Sequence, residues 1–138
     1  ESWENTGSLS TRITQAAITR LFDGRILVAG GFGPQGALKS TELYDPKSGV
    51  WSIAQPLNQK RLGGTATLLE SNLALVAGGR TSETFLFDPI SISWIRSGKL
   101  IEGRRGHTAS LLGNGSVLLT GGEGRQSNIL STTEIYTP

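Results

Sequence analysis

Gly106-His107-Thr108-Ala109-Ser110-Leu111-Leu112-Gly113-Asn114-Gly115-Ser116-Val117-Leu118-Leu119-Thr120-Gly121-Gly122 reads as two short strands, joined by a tight Asn-Gly turn and closed by a glycine pair. Two weaker copies lie upstream and match it without a gap: Gly64 to Gly79, and Ala16 to Gly31. Their second glycines, Gly31, Gly79 and Gly122, fall 48 and then 43 residues apart. Self-similarity at such a period marks a solenoid or propeller rather than one irregular core. The chain is a repeat protein.

Each copy continues past its glycine pair in the same manner. A loop leads to Thr41-Glu42-Leu43-Tyr44-Asp45-Pro46, to Thr84-Phe85-Leu86-Phe87-Asp88-Pro89 and to Thr133-Glu134-Ile135-Tyr136-Thr137-Pro138. These segments alternate or end in an aromatic, as a half-buried strand does, and proline then stops the ladder. Five residues beyond the first two prolines stand Trp51 and Trp94, and Trp3 stands near the amino terminus with no strand before it. One repeat is therefore four short strands. No window of ten residues carries a 3.6-residue apolar period, so the class is all-β.

A glycine pair after a hydrophobic strand, then an aromatic-Asp-Pro, then a spaced tryptophan resembles the kelch repeat, and Arg105-Gly106-His107-Thr108-Ala109 fits that pattern too. The resemblance covers essentially the whole chain. It implies a β-propeller whose blade is a four-stranded antiparallel sheet, with the first strand lining the channel and the fourth on the rim. Three such sheets are expected in one domain over residues 1–138: repeats at 12–51, 61–94 and 104–138, and a closing strand at 1–6. Phe85 replaces the glutamate of the other two copies, and the loop after Gly79 is short. Ala16 stands where the third copy has His107, and both departures predict that the blades do not share one ligand chemistry.

The third repeat ends at its third strand, whereas the chain begins on a tryptophan strand. Three blades fall short of the roughly four to eight that surround a propeller channel. Two chains would make six, so we expect a twofold homodimer in which the Trp3 strand of each copy completes the third blade of the other. A fragment of a longer propeller is the alternative. The chain has no methionine, which leads us to expect an excised, mature or engineered segment.

Composition narrows the chemistry. A formal charge of +2 with no basic run gives no nucleic-acid stripe, and no apolar run approaches the roughly 18 residues of a membrane-spanning helix. There is no cysteine, hence no thiolate metal site, disulfide framework or cysteine nucleophile. His107 is the only histidine, so a histidine-rich metal centre is excluded and no cofactor is expected. A copper site of the kind found in enzymes that resemble galactose oxidase needs several histidines and a cysteine, so this chain cannot build one. No Gly-x-Ser-x-Gly occurs, and catalysis has no positive signal.

The glycine pairs Gly30-Gly31, Gly78-Gly79 and Gly121-Gly122 lack the helix and lysine of a phosphate loop, and close approach of neighbouring blades explains them better. Trp3, Trp51 and Trp94 could stack a sugar, but their regular spacing argues for packing between blades. His107 reads as bonded in a turn between blades. Asp23, Asp45 and Asp88 sit where aspartate bonds its own turn. Asn114-Gly115-Ser116 reads as a hairpin turn before it reads as a glycosylation acceptor.

Arginines give the remaining signal. Arg12, Arg61, Arg104 and Arg105 precede the innermost strands, and Arg80 and Arg125 follow glycine pairs. In a propeller these loops share one face, so with His107 they would ring one mouth of the channel and attract carboxylates, sulfate or acidic peptides. Arg12, Arg61 and Arg105 could instead bond carbonyls between blades. The function expected is a non-catalytic module that binds a protein, peptide or glycan through residues 32–40, 54–63, 80–83, 97–107 and 123–132. A cofactor-free enzyme, such as an isomerase acting on an acidic sugar at that mouth, is the second reading. A self-assembling half-propeller without a ligand is the third.

Overall fold

The computed structural model describes residues 1–138, and its regular structure is all strand. The first sheet orders β1 (Ala17–Arg20), β2 (Ile26–Ala29), then β5 (Thr41–Asp45) and β6 (Val50–Ile53), all antiparallel. Between β2 and β5, β3 (Phe32–Gly33) and β4 (Gly36–Ala37) make a small hairpin of their own. The second sheet runs β7 (Gly64–Leu68), β8 (Ala74–Gly78), β9 (Thr81–Asp88) and β10 (Ser93–Arg105). The third holds β11 (Thr108–Leu111), β12 (Val117–Thr120) and β14 (Thr133–Tyr136), while β13 (Glu123–Gly124) pairs with the end of β10.

Three four-stranded sheets were expected; the sheets found have four, five and three strands. The fifth strand of the second sheet follows from the short loop after Gly79. With no hairpin there, β9 starts at Thr81 and reaches eight residues. That gives β10 a partner as far as Arg104, through two register shifts, and β10 then passes into the third sheet's loop. The third sheet has no strand beyond β14. Residues 1–9 pair into no sheet within one chain.

Alternation along the strands builds the seams between sheets. Ala17, Leu27, Ala29 and Leu43 of the first sheet face Ala74, Val76 and Phe87 of the second. Leu75 and Ala77, pointing the other way, face Val117 and Leu119 of the third. One side chain in two thus goes to each neighbour, so a blade is apolar on both faces.

Aspartate closes the outer turns. Asp23, Asp45 and Asp88 each accept the N–H two residues on, from Arg25, Lys47 and Ile90. Asn114 does the same for Ser116 at 3.1 Å, which places the Asn-Gly pair in its hairpin turn.

Candidate ligand-binding face at the channel mouth

Just before each innermost strand stands a residue with positive φ: Gln15 at 53°, Gly63 at 71° and Gly106 at 60°. That conformation turns the backbone so that each blade bonds the next. The Gly63 N–H donates to the Gln15 carbonyl at 3.0 Å, and the Gly106 N–H donates to Gly63 at 2.7 Å. At the ends of this line the Gln15 N–H and the Gly106 carbonyl have no backbone partner. Beside it opens a cavity of about 640 Å³, lined among others by Gln15, Gly64, Arg105, His107, Glu123 and Ile129.

The glycine pairs brace the same end. Gly31 donates to the Arg61 carbonyl at 2.7 Å and Gly79 to the Arg104 carbonyl at 2.8 Å, each reaching into the following blade. A Cβ on Gly79 would meet Arg61 Cβ at 2.8 Å, and φ there is +87°, so no side chain fits.

The arginines divide into two classes. Arg61 and Arg104 are 2% and 0% exposed and lie inside the seams, not on the mouth. Arg61 Nη1 donates to the carbonyls of Gly78 and Glu83, both at 2.7 Å. Arg104 Nη1 donates to Gly121 at 2.8 Å and Thr132 at 3.0 Å, and its Nη2 meets Glu134 at 2.7 Å. In the second blade Phe85 replaces that glutamate, and the Arg61 guanidinium sits 5.1 Å from the Phe85 ring centroid. Burial with no such carboxylate lowers the Arg61 pKa to about 10, partly offset by Glu83, which leaves it charged at neutral pH. Burial raises the Glu134 carboxyl, but the Ile101 N–H, Arg104 and the Glu102 N–H outweigh it and hold its pKa below the ordinary value.

Arg12 takes neither place. Counting back from the inner strand, Ile13 occupies the position of Arg61 and Arg104: Ile13 Cγ1 lies against Gly31 as Arg61 Cβ lies against Gly79. Arg12 is exposed beside Ser10 and Pro34. The first blade does without a buried arginine because Ser10 donates to Glu42 from both its N–H and its hydroxyl, at 3.0 and 2.7 Å.

Of the other three, Arg105 lines the mouth cavity and Arg125 lines a separate pocket with Ser82, Glu102 and Gly103. Arg105 is tied to both oxygens of Glu123, at 2.6 and 2.8 Å, and with Ser127 holds that carboxyl below its ordinary pKa. Arg80 is exposed at φ 69° and makes no ion pair. Arg125 touches the Ser82 hydroxyl at 3.3 Å and no carboxylate. Arg12, Arg80 and Arg125 therefore form no ion pair, although Arg80 lies near enough to Glu123 to help lower its pKa.

His107 is 6% exposed and bridges blades, its Nε2 2.9 Å from Thr65 Oγ1. Nδ1 is buried without a partner against Gly78, which fixes the tautomer. A bare lone pair there costs less than a stranded N–H, so Nε2 carries the proton and donates to Thr65. Burial, with the Arg104 charge in support and Glu134 opposing, lowers the His107 pKa to about 4. The imidazole is neutral at ordinary pH and holds two blades together. No three residues among His, Cys, Asp and Glu are grouped to hold a metal ion, and no helix is long and apolar enough to cross a membrane.

The tryptophans complete the pattern. Trp94 stands opposite Phe87, 5.0 Å between centroids, and its indole N–H donates to the Gln55 carbonyl at 2.8 Å. Trp51 stands opposite Tyr44 and donates to Gly7 at 3.0 Å. Gln55 lies four residues beyond Trp51 and Gly7 four beyond Trp3, so each tryptophan bonds the segment that follows the preceding one. Trp3 itself is fully exposed.

Among family models, the one described as Kelch motif matches residues 21–58, from the first outer turn through β6 to Leu57 and its neighbour. The chain carries a kelch motif. That match embraces Gly30-Gly31, Tyr44-Asp45-Pro46 and Trp51, and the kelch features recur in blade two as Gly78-Gly79, Phe87-Asp88-Pro89 and Trp94. The architecture is accordingly of the β-propeller type. No curated protein matches the chain.

Proposed function

We propose that the chain is a non-catalytic binding module that takes an acidic peptide segment of a partner protein at the channel mouth, and that it works as a six-bladed ring of two copies. The observation that carries the binding reading is that Arg80 and Arg125, exposed in the loops after two of the glycine pairs, make no ion pair, with Arg80 close enough to Glu123 of the cavity wall to help lower its pKa. Kelch-type blades commonly mediate protein binding, and the loops at this end differ most between blades, which suits a recognition face.

The ring reading is supported by the flanks. The outward face of blade three presents Thr108, Leu118, Thr120 and Ile135, in the register places where blade two uses Thr65, Leu75, Ala77 and Leu86 against its neighbour. The face of blade one turned away from blade two carries Ile18, Ile26, Val28 and Tyr44, in the places of Ala66, Ala74, Val76 and Phe87; Ile18 is exposed there and Val28 is buried. Each free flank is thus the kind of surface that the other meets inside the chain. Two three-bladed chains fall within the known range of propeller sizes, and three chains fall outside it.

Titration of a fluorescent hexaglutamate peptide tests the mouth. Arg80→Glu with Arg125→Glu should weaken binding about tenfold or more, and Arg20→Glu, at the far end of β1, should change it little. Equal affinity in both variants contradicts the reading. Turnover of a uronic acid, lost in the double variant, would favour the enzyme reading instead.

A further inference from the structure

Arg105 and Glu123 stand outside the repeating framework. Arg105 lies one residue beyond the buried Arg104, and the same place after Ile13 and Arg61 is taken by Thr14 and Leu62. Glu123 follows the third glycine pair as Phe32 and Arg80 follow the first two. Blade one joins its two places through the backbone alone: the Thr14 N–H donates to the Phe32 carbonyl at 3.0 Å, and the Phe32 N–H to the Thr14 carbonyl at 2.8 Å. In blade three the same register pairs Arg105 with Glu123. A blade thus forms at these positions without an ion pair, so the two charged side chains are not required by the fold.

What they build is a cradle for one carboxylate. Arg105 Nη2 contacts both oxygens of Glu123, at 2.6 and 2.8 Å, on the wall of the mouth cavity. The two side chains keep 24% and 25% of their surface, so the pair stands at the edge of solvent and not inside a seam. Arg105 and then the Ser127 hydroxyl lower the Glu123 pKa, and Arg80, in the loop of the preceding blade, adds its charge at longer range without an ion pair. Arg80 and Ser127 are held at φ 69° and 62°, where side chains are rarely found and which cluster at ligand sites. Two arginines against one glutamate leave a positive charge over. A half-exposed ion pair contributes little, so a carboxylate arriving from outside, which gains both arginines, competes with Glu123 on near-equal terms.

Resting on the binding reading above, we propose that Arg80 and Arg105 form a carboxylate subsite on the mouth cavity and that Glu123 is its built-in stand-in, displaced when an acidic side chain of the partner enters. Glu123 then sets the threshold for binding. A single free carboxylate is refused, because it must replace a group already tethered in place. A run of acidic residues is accepted, because the contacts of one residue raise the effective concentration of the next.

Acetate and the hexaglutamate peptide, applied to the unaltered chain and three variants, test this. Glu123→Ala vacates the cradle, so replacing chloride by acetate should raise its melting temperature by about 3 °C or more and leave that of the unaltered chain unmoved. Glu123→Gln keeps the size but not the charge, and should bind hexaglutamate about tenfold tighter than the unaltered chain. Glu70→Gln makes the same change of net charge in the exposed turn between β7 and β8, and should bind it as the unaltered chain does. No acetate shift in Glu123→Ala, no gain in Glu123→Gln, or an equal gain in Glu70→Gln overturns the stand-in and leaves the peptide reading standing. An acetate shift in Glu123→Ala with no hexaglutamate binding to any form upholds the carboxylate subsite and overturns the peptide as its occupant.

Discussion

His107 is neutral because burial and the Arg104 charge exclude its proton, and this has a consequence for pH. In the unfolded chain histidine titrates near 6.5, so between that value and about 4 the unfolded state takes up a proton that the folded state refuses. Stability contributed by the neutral ring is therefore complete above pH 6.5 and is lost as pH falls toward 4, by about 3 kcal/mol at full extent. Urea titrations at pH 7 and pH 4.5 should show a smaller loss in His107→Gln than in the unaltered chain. Equal losses would mean that the ring is not the group responsible. The sequence showed His107 to be a lone histidine without metal company, and left it open between a turn between blades and the mouth. Its partner was not legible, because Thr65 lies in another repeat and only the register of the inner strands brings the two together.

The strand elements repeat with compensating differences. Tyr44 and Tyr136 each have a hydroxyl opposite, Thr6 and Ser97, whereas Phe87 has Ala54. The pairing keeps each tyrosine hydroxyl bonded, and it predicts a coupling. Phe87→Tyr places an unbonded hydroxyl in a fully buried site and should cost about 1 to 3 kcal/mol, and Ala54→Ser should restore part of that. A double-mutant cycle by chemical denaturation with no coupling between the two would contradict the pairing. Four-strand periodicity, glycine pairs, outer turns and tryptophan spacing were all readable from residue types. The fates of the arginines were not. Arg12, Arg61 and Arg104 look alike in sequence, but Arg61 and Arg104 lie four residues beyond Leu57 and Leu100 whereas Arg12 lies three beyond Leu9, so Ile13, not Arg12, takes the buried position. Counting back from the inner strand, instead of taking the nearest arginine, is the signal that separates them.

At the scale of the molecule, the blades are apolar on both faces, and within residues 1–138 the outward faces of the first and third meet no other blade. Ile18 and Ile135 are 61% and 62% exposed on opposite flanks, and the fully exposed Trp3 stands off the first. Covering such surface is worth roughly 25 cal/mol for each Å² removed from water, which favours any arrangement that joins the two. Under the ring reading proposed above, the flanks differ, so their contact is head to tail and either closes or grows into an open filament. Closure at two copies is the central claim. Sedimentation equilibrium of the unaltered chain at micromolar concentration tests it most directly: the account predicts a single species of twice the 14.6 kDa chain mass, and a well-ordered 14.6 kDa monomer or an open series of larger assemblies would contradict it.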